Sequence, residues 1–161
     1  MSDPRWIDVH DDAALAAEHF RFAVALFEAG GFEDGGLEGY RARMAFMHAV
    51  QSGHTTLEGL LLRILDMLKE ERPTGDKWHR DLIRRVCRDI AGSQARPPIL
   101  SEFLCEAIDE TRRFRNLAVH NYDGFRADKA SATVAAASLI AELLVAEITS
   151  FKEVADADRH A

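Results

Sequence analysis

The sequence predicts an all-α protein, an antiparallel bundle of about five helices forming a single domain over residues 1–161. Three observations predict it. Apolar residues recur at three- and four-residue intervals through segment after segment, glycine or proline punctuates the chain between them, and no internal repeat or low-complexity linker interrupts the series. With 47% hydrophobic residues, a chain of 161 residues can bury one sizeable core.

The first helix is expected to begin near Asp11 or Asp12, whose carboxylates suit a helix N-terminus, and to place Leu15, His19, Phe22, Ala23 and Leu26 on one face before Gly30-Gly31 ends it. Residues 31–36 form a loop. Helical signal then runs from 37 to 71, about 50 Å if unbroken. A kink or break is expected near Ser52-Gly53, with Thr55 and Glu58 as a capping box. Beyond it Leu57, Leu60, Leu61, Ile64 and Leu68 trace an apolar stripe.

Pro73-Thr74-Gly75 reads as a turn, and residues 76–90 as an amphipathic helix with Leu82, Ile83, Val86 and Ile90 opposite Arg80, Arg84, Arg85 and Arg88. After Pro97-Pro98, helical spacing carries Phe103, Leu104, Ala107, Ile108, Thr111, Phe114 and Ala118 towards a stop at Gly124. The last helix, from about 128 to 154, is apolar on more than one side. It needs two neighbours, one of which a second subunit would supply.

Net charge is −7, which argues against a broad nucleic-acid-binding surface. The charge is unevenly spread, however. Residues 1–40 hold two basic and nine acidic side chains, residues 41–129 hold sixteen and thirteen, and residues 130–161 hold two and five. The locally basic middle reads either as solvated helix faces or as a small phosphate-contacting patch. Cys87 and Cys105 stand apart, with no Cys-x-x-Cys spacing, and read as reduced thiols. The N-terminus lacks the pattern of a signal peptide and no window approaches an uninterrupted apolar span of ~18 residues, so a cytoplasmic location without membrane association is expected.

Chemistry concentrates at residues 113–122, which read Arg-Phe-Arg-Asn-Leu-Ala-Val-His-Asn-Tyr at the end of an otherwise apolar helix. Arg115 and Tyr122, seven apart, share one helical face; Asn116 and His120, four apart, share a second. Arg115 and His120 diverge by about 140° on an ideal helix, so both meet one phosphate only if the helix ends near His120 or a second copy completes the site. Metal-independent RNA cleavage needs a base for the 2′-hydroxyl proton, a cation for the phosphoryl oxygens and an acid for the departing 5′-oxygen. Imidazole serves as base or acid near neutrality, and guanidinium binds phosphate in a bidentate fork. Asn116 is suited to hold the imidazole or contact RNA, and Tyr122 offers a hydroxyl.

Arg115, four intervening residues, His120, one residue and Tyr122 together resemble the signature of the HEPN superfamily. The Arg-Asn start and His-x-Tyr finish are most similar to HepT toxins. The likeness extends more loosely over the chain, through residues 53–58 and 71–79. It implies a HEPN-type helical bundle and a homodimeric, metal-independent endoribonuclease needing no cofactor. Arg115 and His120 would be catalytic and Asn116 supportive. It also implies a cognate nucleotidyltransferase antitoxin of the MNT type, with Tyr122 the residue capped by adenylylation. The alternative is a non-catalytic HEPN module that binds a nucleotide or serves as adaptor to such a transferase. The long acidic N-terminal helix departs from shorter members of the family.

Glu58, His79 and Arg112 are secondary candidates. His54 and Glu58, at i and i+4, have a spacing compatible with a metal, but two ligands make no site; Glu58 is equally suited to pair with an arginine near the motif. His79 follows Trp78 at a helix start, where an aromatic anchor and a capping imidazole are the ordinary roles. Arg84, Arg85 and Arg88 read as a solvated or salt-bridged face. There is no Gly-x-Ser-x-Gly, Walker or dinucleotide motif.

Overall fold

Helix α1 (Arg5–Ala29) leads through a short loop into α2 (Leu37–Met67), the longest element. Next come α3 (Trp78–Val86), α4 (Glu102–His120), a single 3₁₀ turn at Ala127–Lys129 and α5 (Ser131–Asp158). The computed structural model describes residues 3–120 and 125–158, without the side chains of Ala118, Val119 and His120. Among the described residues there is no strand, only an isolated bridge between Ile90 and Arg96. The result is an all-α bundle, as expected: α1 packs on α2 and α5, α4 lies between α5 and α2, and α3 rests on α4 and α2.

The helix boundaries differ from the sequence expectation in instructive ways. α1 starts at Arg5 and buries Trp6, Val9, Ala13, Ala16, Ala17, Phe20 and Ala23. Leu15 and Phe22, expected in the core, are exposed. The buried row is made largely of alanines, whose small side chains let neighbouring helices approach closely, so side-chain size outranked hydrophobicity in choosing the face. Gly30, with φ of 69°, closes the helix as expected.

α2 runs unbroken through Ser52 and Gly53, and Thr55 lies inside it rather than at a cap. The glycine serves a close approach. A Cβ at Gly53 would stand 3.0 and 3.1 Å from carbons of the Phe20 ring and 3.2 Å from the His19 Cβ. Glycine inside a helix costs about 1 kcal/mol relative to alanine, and here the contact of α1 with α2, built on the fully buried Phe20, offsets it.

α3 ends at Val86, four residues short of the expected Ile90. The reason is Arg96, a buried guanidinium that donates to the carbonyls of Arg85 (3.3 Å), Arg88 (3.2 Å) and Pro97 (3.1 Å) while pairing with Glu70. It takes over carbonyls that a longer helix would have used internally. α4 opens on Ser101, whose hydroxyl accepts from the Leu104 N–H at 3.2 Å and donates to Glu147 of α5 at 2.7 Å. Leu104, Ala107, Ile108, Thr111 and Phe114 are buried, whereas Phe103 is 60% exposed.

α5 spans Ser131–Asp158 and finds both its neighbours, α1 and α4, within the same chain. By length and mean hydropathy it is apolar enough to cross a membrane, although Glu142 and Glu147 interrupt its apolar run, and Ala136, Ala137, Ile140, Leu144, Ile148 and Phe151 are buried inside the bundle. Cys87 and Cys105 also come together. Burial, then the nearby Cys87, holds the Cys105 thiol far above its ordinary range, which makes it a poor nucleophile. The expected helix stop at Gly124 lies outside the described residues.

At one end of the bundle Phe27, Phe32, Phe46, Phe114 and Phe125 interlock. Phe46 and Phe114 meet edge-on with centroids 5.5 Å apart, and Phe125 reaches Phe32, Phe46 and Phe114 at 5.2, 5.6 and 6.4 Å. This cluster fixes the C-terminal half of α4, which carries Arg115. If the α1–α2 approach at Gly53 is as tight as this packing indicates, Gly53→Leu should lower the unfolding free energy by about 1–3 kcal/mol. Urea denaturation measures it, and a variant as stable as the parent would show room between the helices.

Candidate active site

Three helices converge on one buried carboxylate. On α2, His54 and Glu58 are one turn apart and face inward, with His54 fully buried and Glu58 4% exposed. On α4, Thr111 and Arg115 are likewise one turn apart and face them. α3 contributes His79 from its first turn. Thr111 donates its hydroxyl hydrogen to the Ile108 carbonyl at 2.9 Å, leaving its oxygen to accept from His54 Nδ1, also at 2.9 Å. His54 Nε2 stands 3.5 Å from Glu58 Oε2.

The carboxylate holds two further groups. Arg115 Nη1 donates to Glu58 Oε1 at 3.2 Å, and His79 Nδ1 donates to Glu58 Oε2. His79 Nδ1 is 3.4 Å from Arg115 Nη1, and the Trp78 and His79 rings stack with centroids 3.7 Å apart. Burial alone would raise the Glu58 pKa. Hydrogen bonds and charge from His54 and then His79 more than reverse this, holding the group below the ordinary glutamate value of 4.5. The site therefore carries a fixed negative charge, against which one guanidinium and two imidazoles are set.

Arg115 is half-buried, and its Nη1 is committed to Glu58. Its Nε is buried with no partner among the described residues, and no described residue accepts from Nη2. The Nε–Nη2 edge is the fork that matches two oxygens of a carboxylate or phosphate. Asn116 is exposed beside it on α4. α4 is continuous through position 120, but the side chain of His120, and Tyr122 altogether, lie outside the described residues. Arg112 points elsewhere, donating to Asp109 at 2.7 Å, and Asp109, also bonded by Arg113, is held below the ordinary aspartate range against its partial burial.

His54 Nδ1 and both oxygens of Glu58 are engaged by protein partners, His54 Nε2 is buried without a hydrogen-bond partner beside Glu58, and among the described residues no grouping of three His, Cys, Asp or Glu side chains could hold a metal ion. The sequence reading missed the roles of His54 and Thr111. A lone histidine on one apolar stripe and a lone threonine on another are the signal that could have found them, because each needs a buried partner.

The family model for HepT-like proteins matches residues 45–155, a span that contains every element of this site. The chain belongs to the HepT-like family, and through it to the HEPN superfamily of toxins and ribonucleases. No curated protein and no solved structure matches it.

Because the Glu58 pKa is lowered on folding, the carboxylate contributes stability that is fully present above the ordinary value of 4.5 and is lost as pH falls through its own lower value. Glu58→Gln should flatten this acid limb. Thermal melts of both proteins across the acid range test it, and parallel pH dependences would show that Glu58 is not held as described.

Proposed function

We propose that this protein is a metal-independent endoribonuclease acting as the toxin of a HEPN and nucleotidyltransferase toxin–antitoxin pair. The observation that carries the reading is Arg115. Its Nη1 is fixed by a buried carboxylate, and its Nε–Nη2 fork is left for an acceptor from outside the described residues. A phosphodiester supplies two oxygens to such a fork, and guanidinium stabilises the charge that builds on them in the transition state. His120 transfers the proton, with Asn116 one turn away on the same helical face to hold it or to contact RNA.

Two surface features support an RNA substrate and a second subunit. A cleft of about 790 Å³ opens beside Phe125, lined by Tyr40 and by Arg43 and Arg126 together with Glu33, Asp34 and Asp128. Arg126 pairs with Asp128, so what the cleft offers to unpaired bases is aromatic faces and polar groups with no excess of positive charge. On α4, Phe103 and Leu117, two heptads apart, are 60% and 50% exposed. They mark an apolar line along one face of α4, from its first turn to the motif, which suits a two-fold interface that would bring two motif helices together. The partner in neutralisation is a nucleotidyltransferase that adds AMP to Tyr122, placing phosphate charge against Arg115 and filling the RNA path. The cytoplasm is where such a pair would act.

Purified protein should cleave RNA in the presence of EDTA. His120→Ala and Arg115→Ala should abolish cleavage, and Arg115→Lys should restore little, because a point charge loses the fork. Cleavage by His120→Ala at the parent rate would rule out this assignment. Tyr122 is tested separately: co-expression with the cognate transferase should raise the intact mass by a multiple of AMP, and Tyr122→Phe should remove the increase. An unmodified but silenced toxin would mean neutralisation by occlusion.

A further inference from the structure

The imidazole nearest Arg115 among the described residues comes from outside the motif. Positions 115 and 120 stand about 140° apart around a helix, and α4 is continuous through both. His79, on α3, brings Nδ1 within 3.4 Å of Arg115 Nη1. Two neighbours meet Nδ1: a carboxylate oxygen, which can only accept, and Arg115 Nη1, which can only donate, at 3.4 Å. The carboxylate is much the closer, so Nδ1 carries the hydrogen and donates it to Glu58. The lone pair of the neutral ring is thereby placed on Nε2, which has no partner among the described residues.

We infer that His79 is a second catalytic residue of this site: the general base that removes the 2′-hydroxyl proton of RNA through Nε2, oriented by Glu58 and seated beside Arg115. The inference rests on the ribonuclease reading and deepens it by naming the base. A carboxylate bonded to Nδ1 and a free Nε2 is the arrangement by which acyl-transfer enzymes hold a histidine as base. Stacking on Trp78 fixes the ring plane. Exposure separates His79 from the other histidine on Glu58, because the His79 side chain is 28% exposed and open to substrate while that of His54 is fully enclosed.

The step balances without a cofactor. Nε2 takes the proton, the 2′-oxygen attacks phosphorus, and the bond from phosphorus to the 5′-oxygen breaks. The leaving oxygen takes a proton from the general acid, the role left to His120. The products are a 2′,3′-cyclic phosphate and a 5′-hydroxyl, with nothing oxidised or reduced. Arg115 meets the non-bridging oxygens.

The test turns on keeping one ring nitrogen's function while deleting the other's. In His79→Asn the amide N–H lies where Nδ1–H lay, so the bond to Glu58 survives and Nε2 is gone. With a fluorophore-quencher RNA oligonucleotide of mixed sequence, kcat should fall by about 100-fold or more, with KM little changed. The acid-side limb of the kcat–pH profile, where activity rises as the base loses its proton, should vanish. Glu58 from α2 and Arg115 from α4 face the imidazole, with His54 behind Glu58. His79→Gln, which puts a non-basic amide near Nε2, must show the same loss and covers the case of an Asn variant that melts early. Variants that cleave within a few-fold of the parent with the limb intact would overturn the assignment while leaving the ribonuclease standing. A parent protein that leaves the RNA whole would remove both.

Discussion

Glu58 sits 4% exposed among three helices, and its carboxylate is the one acceptor that Arg115, His79 and His54 all approach. A buried carboxylate is tolerated only where its lone pairs are met by donors, so the packing of α3 and α4 against α2 and the charge of the site are one requirement. Withdrawing any one donor would leave the anion under-satisfied. Each helix is thus held to the others by a polar constraint as well as by apolar contact, and the constraint has a defined geometry that apolar contact lacks.

That constraint works because the apolar framework around it is rigid. α1 lies close against α2 through its alanine row and Gly53, and the phenylalanine cluster holds α4 where Phe114 precedes Arg115. Ser101 ties the beginning of α4 to Glu147 of α5 through two hydrogen bonds, at 2.8 and 2.7 Å. The helix that carries the arginine is therefore anchored near both ends of its described length.

Much of the architecture was legible in the sequence because amphipathic periodicity reports a helix whatever it packs against. The spacing yielded the helical segments, the loop after Gly30-Gly31 and the turn at Pro73-Thr74-Gly75. It did not yield which face of α1 is buried, because that choice was made by the small size of alanines meeting Phe20 and not by hydrophobicity. Gly53 reads as a breaker in isolation, and only the Phe20 ring against it shows why the helix continues. For the site, Arg115 stood out through its motif, and Glu58 and His79 were visible only as secondary residues. Their convergence is tertiary: 21 residues separate Glu58 from His79 and 57 separate Glu58 from Arg115. No local pattern encodes such distances. Tyr122 and the His120 side chain lie outside the described residues, so their placement rests on the motif alone.

Arg96 gives the short helix an unusual independence from the loop that follows it. Its guanidinium pairs with Glu70 at the end of the long helix and gathers the carbonyls of Arg85 and Arg88, so α3 is clasped at its tail while Trp78 and His79 seat its head. The exposed residues 91–95 then run between a fixed helix and a fixed guanidinium, joined by the paired bonds of Ile90 and Arg96. Mechanically, α3 is a cassette riveted at both ends, with a replaceable handle. Apart from Gly92, whose φ of 102° favours glycine, the handle's exposed side chains make no contact among the described residues on which the imidazole, four helical residues away from Ile83, depends for its bearing on the carboxylate.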